Sequence, residues 1–384
     1  MQLIHPVRAL SAAVAAHWLL CAGAANAGVL PEDRADLMYH YYDGGGVQID
    51  GPSVLVRKKF AEKYAVNASY YVDMVSSASI DVVTTASPYS EQRTQYGVGA
   101  EYLRGKVTYA ASFSNSRETD YNADTTSLSI SQDMFGDLTT VRLAFSRGKD
   151  DVGSRGAPAF SAKVDRWIYG VDVSQIVSRK LVLGASWETT TEEGFLNNPY
   201  RQVRYADPGP ARGYSYQPER YPATRTGNAL ALRARYFLPY RAALQGDYRW
   251  YNDTWGVDAS TFEVAYTHPL GERLVFDVHY RYYTQNAADF YSDLFPRANS
   301  QNFLARDKEL ATMASHTLGF GVGYEFRLPR LRYIQKAAVN LKYDRMRFNY
   351  DDFRDLRRTG LAAGAEPAYS FDANVLRLFF SGWF

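Results

Sequence analysis

This sequence predicts an all-β protein: a transmembrane antiparallel β-barrel of sixteen strands in a single domain. Three observations carry the prediction. Apolar and polar residues alternate at period two in runs mostly nine or more residues long, as in Leu274-Val-Phe-Asp-Val-His-Tyr-Arg-Tyr-Tyr-Thr284. Soluble strands usually have five or six residues, whereas a strand crossing a bilayer needs about 9–11. The apolar face ends again and again in Tyr or Trp, side chains suited to the hydrocarbon–water boundary. Short and long connectors alternate, as they do between the two rims of an outer-membrane barrel.

The strands read in order as 35–43, 52–60, 64–75, 94–103, 106–115, 124–133, 138–148 and 164–175 in the first half. In the second half they read as 180–191, 226–238, 241–251, 257–267, 273–284, 312–327, 333–347 and 371–384. Lipid leaves no partner for open backbone groups, so such strands must close on themselves, and an even number is expected. Fourteen strands is the alternative, should the first pair stay out of the wall. The short connectors are 61–63, 104–105, 135–137, 178–180, 239–240, 268–272 and 328–332. The longer ones are 76–93, 116–123, 149–163, 192–225, 285–311 and 348–370, with 252–256 a brief member of that set. This order puts both chain ends on the periplasmic side. The last strand, "LRLFFSGWF", then turns Leu376, Leu378, Phe380 and Phe384 to lipid.

Residues 1–27 have the layout of a secretory signal peptide: Arg8, an apolar stretch, then Ala25-Asn26-Ala27. Cys21 is preceded by Leu20, where a lipoprotein would carry a small residue. Residues 28–384 are the expected barrel, with no cysteine for disulfide or thiolate chemistry. A formal charge of +2 argues against a nucleic-acid partner.

The segments "YHYYDGGGVQIDGPSVLVRKKF" (39–60), "SSASIDVVTTASPYSEQRTQYGVG" (76–99) and "EGFLNNPYRQVRY" (193–205) carry a resemblance. They are similar to a proteobacterial outer-membrane barrel family labelled a domain of unknown function. The resemblance implies an outer-membrane barrel, with members often encoded near a small lipoprotein, a thioredoxin-like protein and a flavin transferase. The alternating apolar ending also resembles the C-terminal signal read by the outer-membrane assembly machinery. Lipid and lipopolysaccharide are the expected surroundings in a Gram-negative outer membrane.

Alternation places charges of both signs on the lumenal face. The candidates are Arg57, Asp73, Arg142, Arg166, Arg233, Arg235, Asp247 and Arg249, then Asp277, His279, Arg281, Glu325 and Arg327. Two readings stand: a lattice bracing the wall, or a screened pore whose arginines attract anions. Gly319, Gly321 and Gly323 form a bare lumenal stripe, read as a device for curvature or as room for a loop or ligand. Loop 192–225 is dense in Tyr, Arg and Pro; Tyr200, Arg201, Arg204 and Tyr205 are its candidate residues, with Arg–Tyr stacking holding it rigid. "DGGGVQID" (43–50) reads as a hairpin with glycines at positive φ, or as a calcium loop without the usual ligand spacing. His268 falls in a short turn, His316 points outward near the outer rim, and His40 reads as packing at the interface. No catalytic set, cofactor or metal is expected. The function expected is a porin-like channel for small solutes; the alternative is a non-conducting scaffold for an envelope redox or maturation complex.

Overall fold

The computed structural model describes residues 29–77, 89–327 and 333–384. The signal-peptide segment, the turn at 328–332 and most of the connector at 76–93 lie outside them. Sixteen strands close into one antiparallel cylinder. In chain order they are β1 Arg34–Gly44, β2 Val47–Phe60, β3 Tyr64–Ser77, β4 Tyr89–Arg104, β5 Val107–Arg117, β6 Tyr121–Met134, β7 Thr139–Val152, β8 Ala162–Ser178 and β9 Leu181–Gly194. A small hairpin, β10 Gln202–Ala206 and β11 Tyr214–Pro218, stands apart from the wall. The wall resumes with β12 Thr224–Phe237, β13 Ala243–Asp253, β14 Asp258–Leu270, β15 Leu274–Gln285, β16 Met313–Phe326, β17 Lys336–Arg354 and β18 Ala368–Trp383. Each wall strand pairs with its sequence neighbour, β9 with β12 across the hairpin, and β1 with β18 at the seam from Arg34↔Trp383 to Gly44↔Ala373. All sixteen strands read from the sequence are present, and the fourteen-strand alternative falls.

The strands are longer than the alternation suggested because most outer ends run on beyond the apolar belt. β2 begins at Val47, five residues before the expected start. "DGGGVQID" is therefore a tight turn: Gly45 and Gly46 have φ of +60° and +80°, the pairing of signs that a two-residue hairpin needs. β14 runs to Leu270, so His268 belongs to a strand and not to a turn. Its ring meets the Tyr266 hydroxyl at 2.8 Å.

Every second side chain faces out and stays uncovered by protein. Tyr64, Val66, Tyr70 and Met74 do so on β3, Phe276, Val278 and Tyr280 on β15, Leu318, Phe320, Val322 and Tyr324 on β16, and Leu376, Leu378 and Phe380 on β18. A closed cylinder with that exterior has no edge to pair and no polar backbone left open, so its solvent is hydrocarbon. The chain is an outer-membrane barrel of a Gram-negative bacterium, bathed in membrane lipid. The short turns mark the periplasmic rim and the longer connections the outer rim. Packed clusters of apolar side chains lie inside the outer mouth and in the connections above it, for example Tyr221, Trp255, Val257, Phe290 and Leu310.

Candidate functional site

The lining of the lumen changes around the barrel. Along β5–β7 the lumenal face is rich in small hydroxyls, Ser112, Ser114, Ser127, Ser129, Ser131 and Ser146, with Ser146 and Ser127 2.8 Å apart. Across from them, the wall from β15 through the seam to β4 is filled by charged side chains, several of them buried.

The charged wall repeats one arrangement twice. On β15–β18, His279 faces Gly319, which faces Asp344, and Arg377 follows on the next strand. On β1–β4, His40 faces Gly51, which stands opposite Asp73, which faces Arg93. In each set the imidazole passes over the glycine to a carboxylate two strands away, and an arginine one strand further on reaches that carboxylate's other oxygen. The distances are His279 Nε2 to Asp344 Oδ1 3.5 Å and Arg377 Nη2 to Asp344 Oδ2 2.5 Å. In the second set they are His40 Nε2 to Asp73 Oδ1 2.8 Å and Arg93 Nε to Asp73 Oδ2 3.6 Å. His40 also stacks on Tyr71, ring centroids 5.0 Å apart. Arg377 and His40 are cross-strand partners at the seam, so the two sets run into one another.

The glycines make this possible. A Cβ on Gly319 would lie 2.0 Å from His279 Cε1, one on Gly321 1.5 Å from Asp277 Oδ2, and one on Gly323 2.5 Å from Asn340 Oδ1. Over Gly321, Lys342 Nζ reaches Asp277 Oδ1 at 3.3 Å. The bare stripe thus holds neither loop nor ligand: side chains of β15 and β17 lie across β16 and tie its two neighbours together. His40 is corrected too. It does not pack at the interface but points into the lumen and is buried, 8% exposed.

The other sequence candidates take these places. Arg57 alternates with the outward Val56 and Lys58 and faces in. Arg142 donates to Ser129 Oγ at 3.4 Å, Arg166 lies 2.7 Å from Glu192 and 3.7 Å from Asp150, and Arg233 lies 3.7 Å from Asp247. Arg235 donates to Gln245, Arg249 lies over the Tyr251 ring, and Arg281 faces in opposite Glu263. Glu325 pairs with Lys336 at the periplasmic end. Arg327 is the exception: β16 ends at Phe326, so Arg327 is exposed beyond the strand and lines nothing.

Above the lumen the long connections knit into a cap. Tyr200 donates to Asp120 in the β5–β6 turn, and Arg155 of the β7–β8 connection reaches Glu91 on β4 at 2.9 Å. Arg201 pairs with Asp307, and Arg204, fully buried, pairs with Asp293 and, at 2.6 Å, with Glu366 of the β17–β18 connection. Tyr205 bridges to Phe295, and Val203 packs with Phe295 and Leu304. The four loop candidates are thus all in the cap. Six wall strands separate Asp120 from Glu366 by the shorter way round the rim. The connection after β9 therefore ties distant stretches of the outer rim to one another.

Arg–Tyr stacking is present, with Arg204 over Tyr214 and Arg212 over Tyr214 and Tyr216 at 5.0–5.1 Å. The small apolar core beneath it was not legible, because Val203 finds Phe295 only across about ninety residues.

Three cap carboxyls are shifted down; for Asp207 the hydrogen bonds from the Ser215 hydroxyl and the Gly209 amide do so. For Glu366, burial pushes the group up, but hydrogen bonds from Arg204 and from backbone amides outweigh it. For Asp355, the hydrogen bond from Arg357 lowers the group, against partial burial. A carboxyl lowered in the folded state adds stability that is complete above its unfolded pKa and is lost as pH falls through the folded one. Protease cleavage within 195–223 is therefore expected to be flat across neutral pH and to rise only in acid below the ordinary carboxylate range. A rise on the alkaline side of pH 6 instead would contradict this.

Residues 161–343 match the model of a family described as a protein of unknown function (DUF3570), in agreement with the family type that the sequence resembles. No curated protein matches the chain. Among solved structures the chain is similar to a bacterial polysaccharide outer membrane secretin, at 10% identity and TM-score 0.48, over 92% of this chain and 100% of that one. It is also similar to the outer-membrane expressed OmpT of Vibrio cholerae, at 11% identity and TM-score 0.44, over 93% and 100%. A third likeness is to a FadL homologue of Pseudomonas aeruginosa, at 10% identity and TM-score 0.44, over 92% and 91%. At such identities and scores these likenesses say nothing of activity.

Proposed function

We propose that this protein is a porin-like channel for small hydrophilic solutes, sieved at its outer mouth by the cap. The observation that carries the reading is the uneven lining of the lumen. A stretch of three strands, β5–β7, rich in serine beside walls whose charges are largely paired leaves a polar path down one side of the cylinder. Along that path Arg142 makes no ion pair within 4.0 Å among the described residues, in keeping with hydration by water in the bore. The His–Asp pairs act in this reading as ties across the wall, not as catalytic bases, and no cofactor or metal enters. Purified protein in planar bilayers is expected to give discrete conductance steps. Flat traces at all voltages would overturn the reading.

The knitting of the outer connections into one packed cap favours a second reading, a non-conducting scaffold for an envelope partner such as a small lipoprotein or a thioredoxin-like protein. Flat traces together with stoichiometric co-purification of such a partner would establish it in place of the first.

A further inference from the structure

On the outside of the barrel, the lipid-facing surface of β15–β18 changes character over two steps toward the outer rim. Val278, Phe320, Tyr343 and Leu376 share one row across these strands, and all four are exposed. The next outward-facing row is Tyr280, Leu318, Arg345 and Asn374, and the row beyond it Tyr282, His316, Arg347 and Asp372. The residues that alternate with the arginines and their partners, Met346, Phe348, Ala373 and Val375, pack together inside the wall. Arg345 and Arg347 therefore face out, with 51% and 49% of their side chains exposed. This is the height at which acyl chains give way to headgroups on the outer side. We propose that Arg345 and Arg347 form a docking site for a phosphate of lipopolysaccharide. The inference does not depend on whether the barrel conducts.

The argument is one of geometry and charge. Arg345 Nη2 donates to Asp372 Oδ2 at 2.8 Å, and Arg347 Nη1 donates to Asp372 Oδ1 at 3.2 Å. Arg345 Nη1 also donates to Asn374 Oδ1 at 2.9 Å. Arg347 Nε donates to Asn349 Oδ1 at 3.3 Å and its Nη2 to Ser370 Oγ at 3.1 Å. These bonds orient both guanidinium forks before any ligand arrives. Two cations on one carboxylate leave one positive charge over. Forks that converge on one carboxylate converge as well on an anion set against their exposed sides, and phosphate matches such a fork in shape and charge. Beside them the Tyr280 hydroxyl meets His316 Nδ1 at 2.7 Å, and the Tyr282 ring lies 5.0 Å from the imidazole. They offer a hydroxyl and flat ring faces to the sugar that carries the phosphate. Two carboxylates border the patch. Asp43 stands opposite Asn374, two strands from Arg345, and Asp351 lies past the register break after Asn349. Neither pairs with the arginines within 4.0 Å among the described residues. The apolar row directly below the arginines suits acyl chains, which favours a phosphate carried on a lipid over a free one.

Purified full-length protein titrated with bisphosphorylated lipid A should show a saturable adduct by native mass spectrometry. The double variant Arg345→Gln, Arg347→Gln should weaken that binding about tenfold or more. Arg147→Gln with Lys149→Gln is the charge-matched control, because both residues are exposed near the outer end of β7, on the opposite side of the cylinder. It should leave the affinity within about twofold. Lipid A stripped of its phosphates should bind about as weakly as the Arg345→Gln, Arg347→Gln variant, and an equal concentration of inorganic phosphate should not displace the intact lipid. Folding of each variant is checked by its heat-shifted mobility. If the glutamine pair does not fold, Arg345→Lys with Arg347→Lys keeps the charge without the fork and should weaken binding about threefold. Absence of saturable binding, unchanged affinity in a folded variant of the pair, or equal weakening in the control would overturn the inference. So would full binding of dephosphorylated lipid A, or displacement by inorganic phosphate, which would mark a site for free anions. Conductance enters none of these readouts, so flat traces in planar bilayers would sink the channel reading and leave this one standing.

Discussion

Gly51→Val is expected to abolish the folded barrel. A Cβ at this position would sit 1.9 Å from the Val72 carbonyl oxygen and 3.4 Å from His40 Cε1. The first contact is with backbone on the neighbouring strand, which no rotamer change relieves. Overpacking in a filled interior costs about 1–3 kcal/mol and occasionally more; a collision with a ladder carbonyl lies at the upper end of that range. The extra methyls would also stand between His40 and Asp73, leaving a carboxylate that is 2% exposed with Arg93 as its remaining ionic partner. The measurement is the shift in gel mobility on heating that separates folded from unfolded barrels, with urea midpoints for any fraction that folds. Gly246→Ala is the control, since a Cβ there meets nothing within 4 Å. Equal midpoints for Gly51→Val, Gly246→Ala and the unaltered protein would refute the crossing of β2 by His40.

Arg204→Ala is expected to open the cap without unfolding the wall. The guanidinium is fully buried, donates to Asp293 and Glu366, and lies over Tyr214. Removing it leaves two carboxylates facing one another with little access to water, a loss of about 3–5 kcal/mol when one member of a buried ion pair is deleted. Arg306, 2.9 Å from Asp293, offsets part of this for one of the two. Cleavage within 195–223 should accelerate by about a hundredfold or more, while the heat-shifted mobility of the barrel stays unchanged. Arg204→Lys should fall between the two, because a point charge cannot grip two carboxylates as a planar fork does. Equal cleavage rates for Arg204→Ala and the unaltered protein would mean that the loops hold together without this contact.

The wall was legible and the cap was not, for a reason seen in particular residues. Leu376, Leu378 and Phe380 declare their face because each strand carries its own period-two record of which solvent it meets. His40 was misplaced although it sits on such a strand: its neighbours Tyr39, Tyr41 and Tyr42 are all large, so alternation is weak there and gives no parity. The glycine stripe was visible, yet its use was not. What fills the space above Gly319 and Gly321 comes from β15 and β17, and spacing along β16 carries no trace of it. Arg204 was singled out by composition, while its partners Asp293 and Glu366 lie 89 and 162 residues away.

By itself the sequence determined the class of fold, the strand count, the compartment and the lipid face of the strands with clear alternation, because contact with lipid is decided one residue at a time. Only the tertiary structure decided that two His–Gly–Asp–Arg sets meet at the seam and that the outer connections knit into one cap. Those depend on closure of the cylinder, which brings β1 beside β18 and sets distant connections on a common rim.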